Sequence, residues 1–215
     1  MIANQTLVAN DGYEVALFPL PYLNMSQDEG GDYSHTGTYN IDFLGWGANG
    51  RIYQAPIYAP CTMKVVYFDG AYGGGNGVGF QSVNKVHLPN GQLDYLCVYF
   101  AHDNNPPYTT IGQTVNQGQL CYHTGTYGNV TGDHVHSCLG QGSWQGLTQR
   151  ASGNWDLGNR IHYWDGVYIN NTVVINGYGH NWRTYYIPPT PYTSKPKKRS
   201  HFPWVLYANK LREKY

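Results

Sequence analysis

No stretch of this chain places its apolar residues at helical spacing. Glycine and proline instead cut it into short runs of β-branched and aromatic residues: its 215 residues include 27 Gly, 12 Pro and 21 Tyr. Glycine supplies turn conformations that other residues resist, and proline removes a backbone donor. Aromatic and β-branched side chains suit a pleated, half-buried surface. A chain punctuated in this way is expected to be mostly β, built from short strands joined by turns.

The length suffices for one sizeable domain with a real core. Met63-Lys64-Val65-Val66-Tyr67-Phe68 reads as a strand, as do residues 78–83, 84–87 and 94–100, with a hairpin turn at Asn90-Gly91. The segment 15–21 is apolar but broken by prolines, which suits an edge or entry segment. Residues 70–79 form a glycine-rich loop without the Lys-Ser/Thr of a phosphate-binding loop. Residues 163–169 and 172–175 read as a hairpin turning at Asn170-Asn171, part of a β extension over 141–187 that adds strands or a groove wall. Pro188-Pro189-Thr190-Pro191 then marks a boundary. The expected organisation is a domain over 1–187, a Pro/Lys-rich linker over 188–200 and a basic-aromatic tail over 201–215.

Formal net charge is zero, but residues 195–215 hold seven basic side chains against Glu213 alone, a local +6 that offsets −6 on the remainder. That asymmetry is positional, so the body is not expected to bind nucleic acid, while the basic tail suits an anionic partner. The first residues lack a basic and apolar leader, so no signal peptide is expected, and synthesis in the cytoplasm is inferred. No apolar run reaches the ~18–20 residues of a transmembrane helix. Cys61, Cys97, Cys121 and Cys138 form no Cys-x-x-Cys pair and are expected to be reduced, buried and small.

Chemistry concentrates in histidines. In Thr131-Gly132-Asp133-His134-Val135-His136-Ser137, a strand would project His134 and His136 to one face. Cys138 follows on that face and is a candidate soft ligand. His35 precedes Asp42 at the start of a strand, a nitrogen and a carboxylate close enough in sequence to serve one metal; a loop histidine and a turn-capping aspartate is the alternative. His102 ends a buried strand where the chain emerges into a loop, a place where sites are often built. His123 is given no role, and His162 and His180 read as structural.

Taken in order, these pieces resemble the lysostaphin-type zinc endopeptidases of bacterial cell walls and phage lysins. The resemblance covers about residues 30–140. It rests on His35 and Asp42; Ala55-Pro56-Ile57-Tyr58-Ala59-Pro60; Tyr99-Phe100-Ala101-His102; Gly112-Gln113-Thr114-Val115-Asn116-Gln117-Gly118-Gln119; Gly125-Thr126-Tyr127-Gly128; and Gly132-Asp133-His134-Val135-His136. It implies an antiparallel β-sheet with an open groove and long loops. It implies Zn2+ held by His35, Asp42 and His136, with His102 and His134 as catalytic residues. One departure stands out. The family usually has three residues between the first histidine and the aspartate, and this chain has six; Asp32 is the alternative carboxylate. The longer gap resembles phage lysins and tail-tip proteins.

Two imidazoles and a carboxylate leave one open position on a tetrahedral zinc. No His-Glu-x-x-His is present to supply a glutamate base, so His102 and His134 must share general-base duty and support of the oxyanion. The expected function is hydrolysis of peptide bonds in peptidoglycan by a phage endolysin or tail-associated wall hydrolase, acting after release or carried in a virion. A catalytically inactive relative that binds or regulates wall enzymes is the alternative, and an aromatic-rich carbohydrate-binding module is a third reading.

Overall fold

Twelve strands and one helical turn carry the argument about position. They are β1 (Met25–Gln27), β2 (Ile41–Phe43), β3 (Pro56–Tyr58), β4 (Met63–Phe68), β5 (Val78–Ser82), β6 (Leu96–Ala101), β7 (Thr114–Val115), β8 (Leu120–His123), β9 (Val135–Gln141), β10 (Leu147–Gln149), β11 (Trp155–Leu157), β12 (Arg160–Ile161) and α1 (Tyr163–Gly166). The structure, a computed structural model, describes residues 1, 3–70, 75–168 and the backbone of 185–186. The tip of the glycine-rich loop, the expected strand 172–175, His180, the proline boundary, the linker and the basic tail lie outside the described residues.

The main sheet is antiparallel throughout, in the order β7-β4-β5-β6-β9-β2-β1, with β12 pairing β9 along part of its length. The described sheets close into no barrel. Strand alternation divides the side chains between two faces. Ile41, Phe43, Val65, Val78, Phe80, Leu96, Val98, Phe100, Val135 and Leu139 enter one large core, which Phe18, Tyr122, Tyr163 and Trp164 complete. The opposite face carries Asp42, His136 and a smaller cluster of Cys97, Tyr99, Ala101, Cys138 and Leu157, against which Tyr67 and Trp144 pack. Gly79 lies on this face because Trp144 covers it: a Cβ there would collide with the indole ring.

The hairpin expected at Asn90-Gly91 is present. Val86–His87 pairs with Leu93–Asp94, and Gly91 takes φ +85° where its amide donates to the Leu88 carbonyl. All four cysteines are free and buried, and burial pushes their thiols up, that of Cys97 to about 11. No helix of the described residues is long and apolar enough to cross a membrane.

One expectation changes and another narrows. Residues 163–166 form the helical turn α1 where a strand was read. Tyr163 and Trp164 are adjacent and both buried; a strand with one solvated face cannot bury two consecutive large side chains, but a helical turn against the core can. Of the edge or entry segment expected at 15–21, the described residues show an entry segment: 15–20 are buried throughout, enter the core through Phe18 and Leu20, and make single bridges, Val15 to His87 and Leu17 to Tyr168.

Phe43 sits at the centre of this packing, 5.1 Å from the rings of both Phe18 and Tyr163 and fully buried. Phe43→Ala should cost about 3–5 kcal/mol, the range for a phenylalanine truncated in a sealed core. Tyr33→Ala, at an exposed tyrosine, should stay within about 0.5 kcal/mol of the parent. Urea unfolding at constant metal content checks both.

Candidate metal centre

Register builds the centre. β2 and β9 pair with Asp42 directly opposite His136, and on the other side of β9 His136 lies opposite Ala101 of β6. Three neighbouring strands therefore deliver Asp42, His136 and, one residue past Ala101, His102 to one end of one face. His134 is the residue before β9 and is tied to Gly125 by a single antiparallel bridge, so the histidine pair straddles the strand's start. His35 arrives from the loop between β1 and β2, where its amide donates to the Gly31 carbonyl and its own carbonyl accepts from Thr38.

His35, Asp42 and His136 converge. The distances are 3.2 Å from His35 Nε2 to Asp42 Oδ1, 3.0 Å from His136 Nδ1 to Asp42 Oδ1, and 3.2 Å from His35 Nε2 to His136 Nδ1. Each of the three offers one ligand atom to a common point, so the cluster could hold a metal ion. The donor set suits zinc in particular: ligand atoms about 2.0–2.1 Å from a tetrahedral ion lie about 3.3 Å from one another, close to the spacing seen here. Supporting contacts fix two of the three candidate ligands. His35 Nδ1–H donates to the Asp28 carbonyl (3.1 Å), which turns Nε2 toward the cluster. Gln27 Nε2 donates to Asp42 Oδ2 (3.2 Å) and leaves Oδ1 for the shared point. Such outer contacts orient ligands and set their tautomers. Asp32 is exposed and Cys138 packs in the apolar cluster two residues along, so neither joins the three.

His102 and His134 stand beside the cluster, their ring centroids 4.7 Å apart. Each has its Nδ1 against a backbone carbonyl, Tyr127 at 2.9 Å for His102 and Gly132 at 2.8 Å for His134. Both rings thus donate Nδ1–H to a carbonyl and turn Nε2 away from it; Nε2 of His134 lies 3.8 Å from Asp42 Oδ1. His102 holds φ +90°, unusual for a non-glycine residue. Its amide donates to the Gly75 carbonyl and its carbonyl accepts from Tyr127, and these bonds keep it there. Gly125 is required alongside, since a Cβ would strike the His102 carbonyl oxygen.

The remaining expected residues separate from the centre. His123 pairs with the buried Asp103 (2.9 Å), and His162 pairs with Glu29 (2.6 Å) and stacks on Tyr39. Residue patterns did not single out Gln27, or the Asp28, Gly132 and Tyr127 carbonyls. The carbonyls leave no trace in residue type; Gln27 becomes visible only once β1 is known to pair with β2.

Burial opposes ionisation of Asp42, but hydrogen bonds from His136 and His35 outweigh it and hold the carboxyl well below the usual range. Burial, then the neighbouring His136 and His134, pushes His102 down to about 4; His136 is also lowered, chiefly by burial. Between about pH 6.5 and 4 the unfolded chain therefore takes up a proton at residue 102 that the folded chain refuses. Asp42 acts in the same direction below about pH 4. The metal-free chain should thus keep its full stability above about pH 6.5 and lose it progressively on acidification. Urea midpoints between pH 7.5 and 4 check this, and His102→Gln should flatten the upper part of the decline.

No protein-family model matches the chain. Morphogenesis protein 1 of Bacillus phage B103 is 31% identical over 176 residues, covering 80% of this chain and 45% of that protein. The chain thus spans less than half the length of this curated relative. Among solved structures, a zinc-containing peptidase from Vibrio cholerae is similar with 20% identity and a TM-score of 0.42, over 62% of this chain and 42% of that one. The catalytic domain of lysostaphin from Staphylococcus simulans is similar with 22% identity and a TM-score of 0.36, over 62% of this chain and 81% of that one. The chain resembles the lysostaphin-type peptidases, and a phage protein is among its relatives.

Proposed function

We propose that the protein is a zinc-dependent endopeptidase that hydrolyses peptide bonds in bacterial peptidoglycan, in a phage setting. The observation that carries this reading is the convergence of His35, Asp42 and His136 beside two histidines whose Nδ1 atoms are committed to backbone carbonyls. In this reading His35 Nε2, Asp42 Oδ1 and His136 Nδ1 hold zinc. Zinc when bound supplies Lewis acidity, bringing the pKa of water from about 15.7 to near 7 and polarising a peptide carbonyl.

His102 and His134 move the protons. With Nδ1–H committed to Tyr127 and Gly132, Nε2 of either ring can accept the proton of the attacking water and return it to the departing amine. The ring that is protonated at that moment donates Nε2–H to the developing oxyanion. The depressed pKa of His102 suits it to the neutral, proton-accepting state at the start. An inactive relative that only binds wall enzymes would have no use for this pairing of a ligand set with two base-competent rings.

The reading predicts about one zinc per chain, and loss of wall hydrolysis on chelation that zinc restores. His35→Ala, Asp42→Ala and His136→Ala should lose both metal and activity. His102→Ala and His134→Ala should keep most of the metal and lose ~10²-fold or more in rate. Metal analysis paired with release of peptides from purified walls separates the two classes. A zinc-free His134→Ala chain, or an Asp42→Ala chain with full metal, would reverse the roles.

We further propose residues 1–187 as the catalytic unit, 188–200 as linker and 201–215 as a basic tail that holds the enzyme to an anionic wall polymer or a virion partner. The morphogenesis relative favours carriage in a virion over release as a lysin. A chain ending at Thr190 should cleave soluble wall peptides at nearly the parent rate and lyse whole cells less well. That difference should shrink as salt screens the charge, and an equal loss on soluble peptides would place the tail in the fold.

A further inference from the structure

The six residues between His35 and Asp42 are held by a distant part of the chain. The Thr36 carbonyl accepts from Asn154 Nδ2 (3.1 Å), and the Gly37 carbonyl accepts from Arg160 Nη1 (2.7 Å). The Tyr39 amide donates to Asp156 Oδ2 (2.9 Å), and Asn40 Nδ2 donates to the Trp155 carbonyl (2.8 Å). The Tyr39 ring lies stacked at 4.0 Å on His162 and 4.2 Å from the Arg160 guanidinium. Arg160 Nη1 also donates to Asp156 Oδ2 (3.0 Å), joining the two grips. At the loop's other end, Glu29 accepts from the Tyr163 amide and from His162 Nδ1, both at 2.6 Å, one residue after the carbonyl that orients His35.

We infer that residues 154–163 form a clamp whose purpose is to position His35 as a metal ligand, with Tyr39, Arg160 and His162 as its positioning residues. A buried metal ligand on a loop needs its backbone fixed to a few tenths of an ångström, and a longer loop samples more conformations. The insertion supplies its own handles: Thr36, Gly37, Tyr39 and Asn40 all lie between the two ligands, and every one of them is gripped from 154–162. Tyr39 is the strongest handle, since a cation above one ring face and a flat imidazole stacked nearby restrain it with little freedom left. The β extension after β9 is therefore part of the metal centre's support, not only a neighbouring wall.

This rests on the zinc reading above, and the test keeps the two apart. Zinc affinity of the full chain is measured by competition with a chromophoric chelator, alongside the urea midpoint of the metal-free form. Tyr39→Ala should weaken zinc binding about 10–100-fold, the range for lost outer-shell support, by more than the change in metal-free stability accounts for. Tyr39→Phe, which keeps the ring, should retain the parent affinity. Arg160→Lys keeps the charge but not the planar fork and should fall between them; it decides the matter if Tyr39→Ala does not fold. Tyr39→Ala and Arg160→Lys chains that bind zinc as tightly as the parent would overturn the clamp, and so would a loss no larger than the drop in stability. A parent chain that binds no zinc would instead overturn the zinc reading itself.

Discussion

The centre depends on the register between β2 and β9. Side chains in a strand alternate with a period of two, so a slip of one residue by either strand would send its own Asp42 or His136 into the core and bring its Phe43 or Val135 out of it. The same alternation that buries Ile41, Phe43, Val135 and Leu139 therefore aims the polar pair at the opposite face. Core and site specify one register, and stabilising the first orders the second. The pairing of β9 with β6 extends this to His102, which leaves the sheet one residue after the partner of His136.

The sequence was legible where chemistry and periodicity coincide. His134-Val135-His136 reads as two polar residues about one buried one, and Ile41-Asp42-Phe43 as its inverse; both patterns follow from the faces of the sheet. His102 was legible because an apolar run ends beside it. Illegible parts have no local pattern. Backbone carbonyls of Asp28, Tyr127 and Gly132 carry the tautomers, yet any residue could supply them. Trp144 covering Gly79 needs a loop to fold back over the sheet, which spacing does not encode. α1 was misread because Tyr163-Trp164 has the composition of a strand, and only the core on which both rings lie distinguishes the two.

The six-residue gap shows the same division. From sequence it weakened the claim of Asp42 as a ligand, since length alone does not say how a loop is braced. The grips supply that missing fact, and each involves a residue more than 110 positions away. Contacts of that separation are set by the whole fold and cannot be read from a window of sequence.

Ring nitrogen and backbone origin go together in the proposed ligand set. His136 sits directly across the sheet from Asp42, where the distance is short, and it presents Nδ1, the nitrogen nearer its backbone. His35 comes from a loop outside the sheet and presents Nε2, the farther nitrogen, after giving Nδ1–H to Asp28. The sheet ligand is fixed by strand pairing and needs only a short reach. The loop ligand has the longer reach and no ladder to hold it, so its backbone must be braced by other means. Gly31, Thr38 and the segment 154–163 brace it, which is why that extension and the ligand loop share so many hydrogen bonds across the length of the chain.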